Sequence, residues 1–158
     1  MEQVDVIPSN LSDGEVTVGA FVDSLQNSNY ESPTILMNYA AMANASKEYV
    51  IAVLIHEIFH AINANHQEFP RRSEYDEHKY MVENQLKDIK DWIKDVTGLS
   101  DNESACLAIQ GFDEVKKRQP SVFETSIKSA FGQNFDMTQI NTIVNDYANK
   151  TKGKGICE

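Results

Sequence analysis

The sequence predicts an α+β domain: an N-terminal sheet of two or three strands followed by a helical bundle. Three observations carry this expectation. Over the first forty residues, apolar side chains recur at every second position between turn residues. From about Lys47 onward the apolar period lengthens to that of a helix. The chain has 158 residues, 41% of them hydrophobic, which suits one compact core and not a disordered chain. The domain is expected to span residues 1–150, with 151–158, which includes Gly153 and Gly155, as a loose tail.

Element by element, Val4-Asp5-Val6-Ile7 alternates and is stopped by Pro8, and Ser9 to Gly14 reads as a turn. Val16, Val18, Ala20 and Val22 alternate with Thr17, Gly19 and Phe21, the period of a strand. After the turn at Asn27-Ser28-Asn29, Pro33 opens a short third strand over Thr34 to Asn38. Asn44 or Ser46 can cap a helix from about Lys47 to Ala64. Its apolar residues, among them Val50, Ile51, Leu54, Ile55 and Phe59, wrap most of the circumference, so it should be largely buried. Ser73 can cap a second helix running from about Glu74 to Val96, which Gly98 ends. A third starts near Asp101 as cap and stops before Pro120; a fourth, around Val122 to Phe131, ends near Gly132. Met137, Ile140, Ile143, Val144 and Tyr147 mark a fifth.

Charge narrows the partners. The formal net charge is −10, and the basic residues form only short groups, Lys116-Lys117-Arg118 and Lys150, Lys152 and Lys154. These read as solvated helix ends, so neither nucleic acid nor an anionic membrane is expected as a partner. No run approaches the ~18 apolar residues of a membrane span, and the start lacks the basic and apolar regions of a signal peptide. The expectation is a cytoplasmic protein or a fragment of an exported bacterial one. Cys106 and Cys157 form no Cys-x-x-Cys pair and suggest neither a zinc ribbon nor a disulfide scaffold.

The chemistry is carried by His56-Glu57-Ile58-Phe59-His60. Four residues apart on a helix, His56 and His60 share one face and can bind one Zn²⁺. Glu57 then points beside the ion. A metal-bound water has its pKa lowered to roughly 7, and Glu57 can take its proton while the metal polarises a carbonyl. A helix this apolar has little reason to bury two histidines and a glutamate unless something partners them, because a buried unpaired carboxylate costs several kcal/mol.

A catalytic zinc usually has three protein ligands. The candidates downstream are His66, Glu68, Glu74, Asp76, Glu77, His78, Glu83 and Glu103. On the second helix the apolar face runs through Val82, Leu86, Ile89, Ile93 and Val96, with Trp92 alongside; stepping back by fours from Val82 gives His78 and then Glu74. Glu83 falls in line with Lys87, Lys90 and Lys94, a solvent face, and His66 and Glu68 would need a tight reversal. His78 is the preferred third ligand, with Glu74 and Glu77 as alternatives. With His78 as ligand, Glu74 or Asp76 is placed to orient it. Tyr75 and Tyr80 are possible donors to an oxyanion, although packing is the favoured reading, since a phenol's apolar body and polar tip suit a half-buried site.

The segment from Ser32-Pro33-Thr34-Ile35-Leu36-Met37 through His56-Glu57-Ile58-Phe59-His60-Ala61, with Glu77-His78-Lys79-Tyr80-Met81 after it, resembles the zincin-like metallopeptidases, and within them the SprT-like group and related small bacterial peptidase domains. The resemblance covers about Pro33 to Leu86. It implies a zincin-like fold, one zinc per chain on His56, His60 and His78, Glu57 as general base and acid, and a peptide or protein substrate pairing with the strand Thr34 to Asn38. The basic or zinc-ribbon elements of SprT-like proteins that act on DNA-linked proteins are missing, so a DNA role is not carried over. Similar small domains serve as toxin modules of larger bacterial proteins, which would imply a cognate immunity protein. Two other classes compete with a zinc metallopeptidase: a non-catalytic zinc-binding module with a closed site, and a metal-free helical interaction module.

Overall fold

In the computed structural model, the described residues are 20–21, 34–35, 42–65 and 73–155. They are mostly helical, which corrects the expected α+β class with its N-terminal sheet. Strand pairing among them is confined to two residues on each side: β1 (Ala20–Phe21) pairs antiparallel with β2 (Thr34–Ile35), Ala20 opposite Ile35. The remaining positions of the three expected strands lie outside the described residues. The physical reason for the correction is the core: its buried side chains come from helices packed on helices, so no sheet layer is needed to cover them.

The helices are α1 (Lys47–Asn65), α2 (Glu74–Asn84), α3 (Leu86–Thr97), α4 (Asp101–Ile109), α5 (Asp113–Arg118), α6 (Pro120–Phe131) and, after a 3₁₀ turn at Met137–Gln139, α7 (Ile140–Ala148). Their ends follow the sequence chemistry. Ser73 caps α2 by accepting from the Asp76 amide, and Gly98 closes α3 in the left-handed conformation at φ 73°. The cap of α4 is Ser100, one residue before the expected Asp101, in a reciprocal capping box with Glu103. Pro120 opens α6 at its first turn, where its missing N–H costs nothing.

Two expected helices are each divided. The run from Glu74 breaks at Gln85, where φ is −123° and ψ −5°. The break is held from across the core: Asn63 Nδ2 donates to Gln85 Oε1 at 3.0 Å, and Gln85 Nε2 donates back to Asn63 Oδ1 at 2.8 Å. Asn63, in the last turn of α1, is therefore a buried tie between α1 and the α2–α3 junction. The run from Asp101 breaks at Gln110-Gly111-Phe112, with Gly111 at φ 87°. His78, Met81, Val82, Leu86, Ile89 and Ile93 face inward as the periodicity requires. The last turn of α3 leaves the core, so Val96 is exposed, while half-exposed Trp92 keeps an edge contact with Phe59 at 5.2 Å between ring centroids.

The core centres on Phe112, Phe123, Met81, Leu86 and Leu107, all essentially inaccessible. A smaller cluster of Met42, Ala45 and Val53 sits under the start of α1. The expected loose tail is tied down through Gly155. The Lys47 amide donates to the Lys154 carbonyl at 2.8 Å, and the Lys154 amide donates to buried Glu48 Oε2 at 2.9 Å. At Gly153 (φ 83°) a Cβ would collide with Glu48 and Ser46, so only glycine allows this docking. The start of α1 is thus fixed from both sides of the sequence, which matters because α1 carries the site.

Candidate metal centre

His56 and His60 project from α1 one turn apart, and His78 meets them from α2. Their Nε2 atoms form a near-equilateral triangle: 3.1 Å for His56–His60, 3.0 Å for His60–His78 and 3.3 Å for His56–His78. Hydrogen bonding alone cannot satisfy this triangle. A ring nitrogen is either a donor or an acceptor, so among three such atoms at least one pair must share a role, placing two lone pairs or two N–H groups against each other. A cation at the centre removes the conflict by taking all three lone pairs. Two nitrogens bound to tetrahedral zinc at 2.0–2.1 Å lie about 3.3 Å apart, close to the spacings seen here. The three histidines are close enough to hold one metal ion.

The surroundings keep these nitrogens available. Burial pushes the His56 pKa well below its ordinary 6.5, with the neighbouring His60 and His78 adding to the shift. Burial, then His60, lowers His78 to about 4, against a smaller opposing effect of Glu77. Both imidazoles are neutral, the ligating form, at neutral pH. Glu77 Oε1 lies 2.9 Å from His60 Nδ1, although off the line of a well-aligned hydrogen bond. A carboxylate there favours the proton on Nδ1 and leaves Nε2 facing its two partners. The ring of Phe112 packs 4.8 Å from His56 and edge-on to His78 at 5.5 Å.

Gly111 completes the pocket wall. A Cβ at this position would lie 2.9 Å from His56 Cε1 and 3.3 Å from both ring nitrogens, and the φ of 87° is itself unfavourable for other residues. Gly111→Ala is therefore expected to displace His56 and weaken metal binding by about tenfold or more while leaving the helical content intact; zinc titration with circular dichroism checks both. Gly111 and Phe112 were not among the candidates from sequence. The available signal was an isolated glycine inside an otherwise helical run, which marks a close approach or a break.

A second expectation concerns acid. In the metal-free protein, His56 and His78 titrate below 6.5 when folded and near 6.5 when unfolded. The unfolded chain then binds more protons, so stability falls as the pH falls. The contribution of His78 is complete above about pH 6.5 and is lost on the way down to about pH 4, its folded value, and that of His56 falls in the same direction. Thermal melts of the metal-free protein across that window should show the decline, with a shallower slope in His78→Gln.

The site opens on a cleft of about 640 Å³ lined by residues of α1, α2, the α4–α5 junction, α6 and α7. Glu57 is buried and lines this cleft beside the histidines. The other candidates are dispersed. Glu74 is exposed on the cleft wall and is not part of the triangle. Asp76 accepts from the Ser73 hydroxyl at 2.6 Å, and Glu83 pairs with Lys79 at 2.6 Å on the solvent face. Glu103 serves the α4 cap, and its carboxyl is held at about 2, chiefly by the Ser100 hydroxyl. Tyr75 packs against the core, with the Arg118 guanidinium 4.6 Å above its ring, and neither Tyr75 nor Tyr80 lines the cleft. Glu77 is thus the carboxylate set against His60, where Glu74 or Asp76 beside His78 was expected. His66, Glu68 and residues 67–72 of the adjoining loop lie outside the described residues, as does Cys157; Cys106 is a buried thiol pushed up to about 11, chiefly by burial, and so unreactive.

Comparison with family models, with curated proteins and with solved structures gives no match for this chain. Among the described residues, no helix is long and apolar enough to cross a membrane.

Proposed function

We propose that this protein is a zinc-dependent peptide hydrolase of the zincin-like kind. The observation that supports the reading best is the triangle of Nε2 atoms, with Glu57 lining the same cleft. Three neutral nitrogen ligands and a neighbouring carboxylate are the donor set of catalytic zinc sites, whereas closed structural sites use four protein ligands. Among the described residues, no fourth histidine, cysteine or carboxylate joins the three histidines.

Bound zinc would supply a Lewis acid that polarises the scissile carbonyl and acidifies water. The chain's own residues account for the rest. His56, His60 and His78 would hold the ion, and burial keeps His56 and His78 neutral so that protons do not compete there. Glu77 steadies the His60 tautomer. Glu57 accepts a proton from the attacking water and passes it to the departing amine, so that the carboxylate is restored at the end of the cycle. Phe112 and Gly111 pack against the His56 ring and fix the nitrogen that would bind the ion. The test is hydrolysis of a mixed peptide library by protein loaded with zinc. Cleavage should stop on chelation and return on adding zinc; zinc-loaded protein that cuts no peptide in the library would refute the assignment.

A further inference from the structure

The resemblance to zincins places an extended substrate against the strand that begins at Thr34. In this structure Thr34–Ile35 pairs with Ala20–Phe21, and Ile35 is not among the described residues that line the cleft. Among the described residues the cleft wall is formed partly by α7, where Asn141 and Asn145 both face the cavity. They are exposed and one helical turn apart, and neither side-chain amide is hydrogen-bonded among the described residues. Side chains at this spacing lie about 5–6 Å apart. Alternate peptide units of an extended chain repeat every ~6.6 Å. Two free carboxamides at that spacing are suited to grip successive peptide groups on one edge of an extended segment.

The charge around the cleft is one-sided. Glu57, Glu74, Asp113 and Glu114 line it, against Lys116 as the sole cation among the described lining residues. Some acids on the outer faces are paired with neighbours, as Glu83 is with Lys79 and Asp91 with Lys87, while Asp88 and Asp95 have no ion pair among the described residues. Glu114 is likewise paired, with Arg118. Glu74 and Asp113 have no ion pair among the described residues, although they are exposed at the mouth of a cleft whose low-dielectric walls focus their field. We infer that the substrate is an extended peptide segment with a lysine or arginine flanking the scissile bond, its backbone held by Asn141 and Asn145 and its cationic side chain by Glu74 and Asp113. The inference rests on the peptidase reading for the word scissile, but the binding it describes can be measured without turnover.

The test uses the full chain carrying Glu57→Ala, loaded with zinc, and three fluorescent decapeptides of otherwise neutral sequence with lysine, glutamine or glutamate at two central positions. Anisotropy should give binding in the order lysine, glutamine, glutamate, with the lysine peptide about tenfold tighter than the glutamate one at low salt and the gap shrinking in high salt. Adding Glu74→Gln and Asp113→Asn should reduce that ratio about fivefold, whereas Asn141→Ala with Asn145→Ala should weaken all three peptides alike. All of these side chains are exposed, so the fold is not at stake. Equal binding of the three peptides, or no binding of any, overturns the inference. If the lysine peptide is bound preferentially but the chain with Glu57 intact does not cut it, the inference stands and the peptidase assignment fails. If all three are cut equally and bound equally, the assignment stands and the inference fails.

Discussion

Glu57→Ala is expected to reduce peptide hydrolysis by a factor of about 10²–10⁴, the usual contribution of a positioned general base, while zinc content stays at the level of the unaltered protein. The two halves belong together. Glu57 is buried beside the histidines but contributes no atom to the triangle that can hold the ion. Removing it should leave the three ligating nitrogens in place and take away the proton acceptor. Paired measurements of turnover and bound zinc separate this outcome from its rival. In a non-catalytic zinc module, Glu57→Ala would have no turnover to lose. If the variant lost zinc as well as activity, Glu57 would be a ligand and the assignment of roles within the motif would be wrong.

His78→Ala should produce the second large effect, on metal binding. The remaining pair on α1 offers two nitrogens at 3.1 Å, an incomplete set for zinc. Binding only to the folded form stabilises by about 2.7 kcal/mol at a hundredfold excess over Kd, which for a domain of this size is on the order of 8 °C in Tm. Thermal melts with and without zinc should therefore show a shift of that order for the unaltered protein and little or none for His78→Ala. The loss has a second consequence that the same melts can read. His78 is what joins α2 to the pair on α1 at this point, so bound zinc would link two helices. An undiminished zinc shift in the variant would move the third ligand elsewhere, with Glu74 and Glu77 the next residues to replace.

The sequence was more informative about the site than about the frame around it, for reasons that lie in particular residues. His56, Glu57 and His60 declare themselves because helical spacing alone places the two histidines on one face. His78 could be reached by stepping back along the apolar face of the following helix, since Val82, Leu86, Ile89 and Ile93 do line the core. That row continues through the break at Gln85, which is why one helix was expected where two exist. The break depends on a long-range pair, Asn63 with Gln85, and pairing over twenty-two positions leaves no local trace. Glu77 was weighed as a ligand and stands instead against His60, a matter of which turn of α2 faces α1. The docking of residues 151–155 is likewise set by a distant partner, Glu48, so two glycines that read as looseness serve a close approach. Two-residue alternation is the only signal in the first forty residues, and it says nothing about whether helices will close the core by themselves.

The central claim is that the three converging histidines hold zinc, and the most direct measurement is the metal content of the full chain purified without chelator, read by inductively coupled plasma mass spectrometry. The account predicts about one zinc ion per chain, removable by chelation and restored on dialysis against zinc. Protein that contains no metal as isolated and takes up none when zinc is supplied would contradict it, and would leave His56, His60 and His78 as side chains packed together without an ion to join them.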